Sequence, residues 1–473
     1  MEPQKHHKGM RHHIPRGKDN WAIIADNPSW SGENIKQCMR KHQTLEPIDD
    51  SVTDRSTMPF VGENHGTSSP VWTSFNHWRL PIEDDVTKAC DKVTGFNKKS
   101  DDPWSGDHIG FFNNLGTVAR TGPNKGERSY AARCYFEANV QRTNLHVLCE
   151  ALVTNVDLNG DKAVGVNFTH EGCIHNVKAA SEVIVSCGAL QTPQILELSG
   201  IGDPDVLHAA GVECKVVNRG VGANFQDHSL TEVVWERIDC GNSLYKPGNP
   251  TLDAIHDPQV MQAAQQQYME SQTGPMSSIS SMQGFFPYKI TKSVENFMVN
   301  LTPFQQKQYE RTLEQLKSNK SANLQLVLVG ATPDLVNGPE DQSRQMLAAM
   351  CLQYPLSRGT VHIKSADPTH VPAVDPALLA YSADMLAKAD QTIHLKDKIQ
   401  THVAPDPNVD MTNMENARQW VRDWVVSEYH PCGSCAMGDA LDSRLRVKGV
   451  QGLRVVDASI FPNHVSENII SSV

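Results

Sequence analysis

Residues 182–202 read EVIVSCGALQTPQILELSGIG, and three physical signals follow one another in them. The run EVIVSCGA is short, almost continuously apolar and closed by a glycine, the form of a central strand buried on both faces. Thr192 and Pro193 then read as the N-cap and first turn of a helix, Ile195, Leu196 and Leu198 as its apolar face, and Gly200 and Gly202 as its end. A strand, a tight turn and a short helix define an α/β unit. A glycine turn feeding a helix N-terminus offers free backbone N–H groups and the positive end of a dipole, suited to the anionic or carbonyl edge of a cofactor.

Upstream, LHVLCEALVTNVDL (145–158), KAVGVNFTH (162–170) and IHNVKAA (174–180) are short β-branched segments separated by polar turns such as Leu158-Asn159-Gly160-Asp161. They predict a three-stranded antiparallel meander. The first 130 residues are polar and rich in Pro, Gly, Asn and Asp, and read as loop with brief helices. Downstream, MQAAQQQYMESQ is helical in pattern, while NLQLVLVG, AAMCLQYP and GTVHIKS look like strands of a second sheet. MENARQWVRDWVV is a helix with apolar positions at Met414, Ala417, Trp420, Val421, Trp424 and Val425, and Thr412 with Glu415 has capping-box spacing. LRVVDASIFP is another buried-type strand leaving into a loop.

The 473-residue length predicts two structural regions, which can interleave along the chain. With a formal net charge of -11 and no long basic block, a counterion-releasing grip on nucleic acid or on an anionic membrane is excluded as an expectation, and a small neutral partner fits better. No apolar run is long enough to span a bilayer, and the opening MEPQKHHKGMRHH has no apolar core of a signal peptide. The 11 cysteines are an odd number without the spacing of a disulfide framework. Sequons at Asn167, Asn300 and Asn319 give weak support for secretion, so the compartment stays open. His6, His7, His12 and His13 lack neighbouring Cys or carboxylate order and read as exposed residues rather than metal ligands.

The stretch from Gly188 to Gly202 also resembles, position by position, the second signature of the GMC (glucose-methanol-choline) oxidoreductases. VGANFQDH (221–228), PLSRGTVHIKSADP (355–368), YHPCGSCAMG (429–438) and GVQGLRVVDASIFPNHVSENI (449–469) resemble the same family in the same order. The resemblance implies an FAD-dependent oxidation of CH–OH donors, with His430 removing the hydroxyl proton and hydride passing to flavin N5. It implies that Asn468 hydrogen-bonds the substrate oxygen, that Asp457 and Ala458 line the flavin, and that Val153 meets the adenine through its backbone. Imidazole suits the first role because its proton affinity lies near neutral pH without perturbation. Cys432 and Cys435 have C-x-x-C spacing, which offers a competing reading as a thiol-exchange site.

The implied fold is mixed α/β (α+β): a Rossmann-like FAD-binding domain lacking its first βαβ unit, and a substrate-binding domain built on an antiparallel sheet flanked by helices. Residues 1–229 would form the partial FAD-binding region, 230–350 the substrate-binding domain, and 351–473 the rest of the substrate sheet with the catalytic segment. The family opens on a strand, a G-x-G-x-x-G turn and a helix that takes the FAD pyrophosphate, and these 473 residues hold no such turn. Lys8-Gly9-Met10-Arg11-His12-His13 resembles the end of a later family motif, which implies roughly ninety missing residues, the size of one or two βαβ units. The last residues, Ser471-Ser472-Val473, stop inside what should be a final helix. Such a loss predicts an uncovered sheet edge and an exposed apolar face. It sets a second reading beside the first, a catalytically inactive remnant or an incomplete gene model.

Overall fold

The computed structural model describes residues 16–59, 64–96, 106, 108–237, 257–278, 281–287, 300–330, 345–380, 399–410, 413–466 and 469. His6, His7, His12, His13, Thr412 and Asn468 lie outside them.

Among the described residues the larger sheet has seven strands. Its order is Ile399–Ala404, Ser229–Arg237, Gln345–Leu352, Leu324–Val329, Met282–Phe286 and Gly110–Asn113, every pair antiparallel. The short strand Val426–Ser427 pairs with the start of Ser229–Arg237. Period-2 alternation sorts the side chains onto two faces. Val233, Trp235, Leu326, Leu328, Met346 and Ala348 bury against Leu80, Ile82 and Val86, carried by the helix Pro81–Thr94 and its approach. Leu230, Val234, Leu347 and Ala349 pack with Trp420 of the helix Met414–Trp424. Full burial of each such side chain contributes roughly 1.5–3 kcal/mol.

NLQLVLVG (323–330) and AAMCLQYP (348–355) fall on strands of one sheet as predicted, the second running Gln345–Leu352 and so beginning and ending three residues earlier, but Thr360–His362 forms a separate ribbon with Ala373–Asp375. The opening 130 residues hold more order than their composition suggests: a 14-residue helix from Pro81, and a strand, Gly110–Asn113, at the sheet's end. The helix beginning at Met414 is capped by Asn413, whose side chain accepts from the Glu415 and Asn416 N–H groups.

The meander is present as Leu152–Asn159, Lys162–His170 and Cys173–Lys178. Its first strand starts at Leu152 rather than Leu145. Val183–Val185 is not the doubly buried central strand that its apolar run predicts: among the described residues it pairs only with Leu453–Val455, in parallel. Val183 and Val185 face the core, but Ile184 is 54% exposed and Val456 is 47% exposed. An apolar run records what a strand can bury, and here one face has no cover among the described residues.

Candidate active site

The site is built by an interrupted ladder. Ser229 pairs with Ser427, and the Glu428 N–H donates to the His228 carbonyl at 2.8 Å. Continued unbroken, that register would set Gln226 opposite His430. Instead Gln226 and Cys432 exchange both backbone hydrogen bonds, at 2.9 and 2.8 Å, so residues between Glu428 and Cys432 are looped out. Within the loop Tyr429 adopts φ 62°, left-handed backbone that a bulky L-residue rarely takes. A bulge re-aims a side chain. Here His430 meets His228 with the two Nδ1 atoms 3.0 Å apart and the rings edge-on at 81°.

His430 is held through its backbone as well as its ring. Its backbone N–H donates to Asp227 Oδ1 at 3.0 Å, while Asp227 Oδ2 accepts from the Ser427 hydroxyl at 2.5 Å. Its carbonyl accepts from His464 Nε2 at 3.0 Å, and the Val465 N–H donates to His464 Nδ1 at 3.1 Å. The His464 ring stacks on His228 with centroids 3.5 Å apart. Glu428 Oε2 lies 3.5 Å from His228 Nδ1 and 3.6 Å from His430 Nδ1, all three side chains being buried. Burial pushes the His228 imidazole below its ordinary pKa and the His464 imidazole well below, and it pushes the Asp227 carboxyl up. His430 Nε2 is buried and has no hydrogen-bond partner among the described residues. The ligand atoms of His228, Glu428 and His430 all fall within 4.8 Å of one another, a set that could share a cation as well as a proton.

A second cluster ties the closing strand to the glycine turn. Asp457 Oδ2 accepts from the Gly188 N–H at 3.0 Å and from the Thr192 hydroxyl at 2.5 Å, and Oδ1 accepts from the Ser459 N–H at 2.8 Å. The helix begins at Gly188, so Thr192 is not its N-cap and Pro193 lies in its interior. Nor are the turn's N–H groups all free: Cys187 donates to Thr192 Oγ and Gly188 to Asp457. An interior proline cannot return an N–H to the carbonyl four residues back, here Ala189. The Ser434 hydroxyl donates to that carbonyl at 2.5 Å.

Ala458 is buried, and its carbonyl accepts from the Gly433 N–H at 3.0 Å; Cys435 and Met437 donate in turn to Ser459 and Ile460. The segment following His430 is thereby laced to the one following Asp457. Val153 pairs with Phe168 on the meander and packs against the core that also contains Cys432 and Ala458. Burial raises the Cys432 thiol well above its ordinary pKa and pushes the Cys435 thiol up strongly. Thiol exchange needs thiolate, so this environment opposes that reading. His228, Glu428 and His464 escaped the sequence reading, although each stands in or beside a quoted motif: VGANFQDH ends on His228, Glu428 precedes YHPCGSCAMG, and His464 lies in FPNHVSENI.

Fold and site define a large mixed α/β protein built around a buried cluster of histidines. Residues 14–230 and 355–473 match two family models, each described as GMC oxidoreductase. Dehydrogenase mpl7 from Monascus purpureus is 32% identical over all of this chain and 84% of its own length. Glucose oxidase 1 from Penicillium expansum is 28% identical over 96% of this chain and 73% of its own length. The fold is shared with an FAD-dependent oxidoreductase from Chaetomium thermophilum, with a TM-score of 0.82, 24% identity, and coverage of 98% of this chain and 81% of that one. The chain belongs to the GMC oxidoreductase family of FAD-dependent dehydrogenases and oxidases. No helix among the described residues is long and apolar enough to cross a membrane.

The site fits the family's cofactor in one respect: a buried imidazole nitrogen has no partner among the described residues, on a segment laced to Asp457 and Ala458. The G-x-G-x-x-G turn that grips a pyrophosphate is not among the 473 residues.

Proposed function

We propose that this chain oxidises a primary or secondary alcohol, with His430 as the base that removes the hydroxyl proton. The observation that carries the reading is His430 Nε2, buried and unpartnered among the described residues on a residue tethered through its ring Nδ1 and its backbone N–H. A base held in this way is preorganised to meet a hydroxyl at hydrogen-bond distance. Asn468, four residues beyond His464, is assigned the second contact, donating to the substrate oxygen as negative charge builds there. FAD, held in this reading by Val153, Asp457 and Ala458, supplies the acceptor for the hydride that leaves the carbinol carbon. A glucose oxidase and a dehydrogenase among the relatives support a CH–OH donor.

The test is anaerobic mixing of the FAD-saturated chain with a panel of primary and secondary alcohols, following loss of the yellow absorbance. At least one alcohol is expected to bleach the flavin, and His430→Ala is expected to slow bleaching about 10²–10⁴-fold. Failure to retain flavin, or an equal rate in the variant, overturns the proposal and favours an inactive remnant.

A further inference from the structure

His228 takes no part in the reaction as proposed, yet its geometry determines where the proton on His430 can sit. His228 Nε2 lies 3.1 Å from the Gln353 carbonyl oxygen and 3.0 Å from that of Val465. Carbonyl oxygens only accept, so this nitrogen carries a hydrogen. Burial of the ring disfavours its charged form, and a neutral imidazole has one N–H, so with that hydrogen on Nε2 its Nδ1 is bare. That bare nitrogen faces His430 Nδ1 at 3.0 Å. Two lone pairs cannot face each other at hydrogen-bond distance, so the hydrogen between the rings belongs to His430. Glu428 Oε2 lies near both rings, 3.5 Å from His228 Nδ1 and 3.6 Å from His430 Nδ1, so it adds negative charge at this corner without choosing between them. A neutral His430 with its hydrogen on Nδ1 has its lone pair on Nε2, the atom without a partner among the described residues.

His464 reinforces the arrangement. With the Val465 N–H donating to its Nδ1 and its Nε2 donating to the His430 carbonyl, its own tautomer is set, and its ring lies flat on His228. His228 is thus held between its two carbonyl acceptors and the stacked His464 ring.

We infer that His228 is a positioning residue that fixes His430 as the Nδ1–H tautomer, so that Nε2 is presented to the substrate hydroxyl as a base. The inference deepens the proposed alcohol oxidation and rests on His430 being its base, but the tautomer can be read without flavin or substrate.

The experiment labels histidine ring nitrogens with ¹⁵N in the whole chain and reads the His430 tautomer by two-bond ¹⁵N–¹H couplings, assigned with His430→Gln. Wild type is expected to show Nδ1 protonated and Nε2 bare. In His228→Phe the Nδ1–H population is expected to fall in favour of the Nε2–H form that free imidazole side chains prefer. His228→Asn, whose side-chain oxygen can stand in for Nδ1 as acceptor, is expected to restore it. A wild-type His430 protonated at Nε2 overturns the inference without any variant, as does an unchanged tautomer in a folded His228→Phe. Titration with Zn²⁺ alone, shifting both Nδ1 resonances to metal-bound positions at micromolar metal, would replace the proton bridge by a metal site and also overturn it. In the flavin-loaded chain, His228→Phe is expected to lower kcat about 10²-fold or more while KM changes little, because the base and not the binding surface is altered. A chain that oxidises no alcohol yet shows the predicted tautomer would refute the proposed function and leave this inference standing.

Discussion

Replacing Ser434 by alanine isolates one bond whose partner was chosen by a proline 241 positions away in sequence. Pro193 sits inside the helix Gly188–Leu198 and has no N–H for the Ala189 carbonyl, and the buried Ser434 hydroxyl donates there at 2.5 Å. Deleting one partner of a buried hydrogen bond costs about 1–3 kcal/mol, because the remaining acceptor is desolvated without compensation. Ser434→Ala is therefore expected to destabilise the chain by about 2 kcal/mol. In a Pro193→Ala background, residue 193 regains an N–H aligned with the Ala189 carbonyl, and the same Ser434→Ala change should cost less than about 1 kcal/mol, a coupling of about 1–2 kcal/mol. Urea unfolding of the four proteins of the cycle, followed by far-UV circular dichroism, measures both numbers. Equal cost of Ser434→Ala in the two backgrounds would refute the link between the proline and the serine.

Glu83 is fully buried, accepting from the Ser281 hydroxyl at 2.7 Å, and burial pushes its carboxyl up to about 7. Between its ordinary value near 4.5 and about 7 the native state holds a proton that the unfolded state has released, so stability falls as pH rises through that window, by on the order of 3 kcal/mol. Glu83→Gln should flatten this slope in unfolding curves at pH 5 and pH 8; an unchanged slope would show that Glu83 is ionised in the native state. Gly433 has φ 81°, and a Cβ there would lie 2.7 Å from the Asn224 carbonyl oxygen and from Gln226 Nε2. Gly433→Ala is expected to cost about 2 kcal/mol or more, read as a lowered melting midpoint, and an unshifted melt would contradict the close approach. Brief iodoacetamide treatment followed by mass spectrometry should label the exposed Cys38, Cys149 and Cys173 but not the buried Cys432 and Cys435; native labelling of Cys432 at comparable rates would restore thiol exchange as a reading.

Local chemistry was written openly in the chain. Alternating apolar residues announced the strand Leu324–Val329 and the meander, 3.6-residue periodicity announced the helix Met414–Trp424, and five ordered motifs announced the family. Each of these depends on residues within a few positions of one another, which is the range that periodicity and turn chemistry report. Tertiary structure alone decided the rest. Thr192 has the composition of an N-cap, but Asp457, 265 residues on, takes its hydroxyl and the helix starts four residues earlier. The run EVIVSCGA has the composition of a central strand, but its burial depends on which elements lie against it, and Ile184 remains exposed. The meeting of His228 with His430, 202 residues apart, follows from the register of one strand pair and the slip that loops out Tyr429. Hydrogen bonds that close across such separations leave no periodic trace, because the energy that fixes them is gained only once distant segments are already packed side by side.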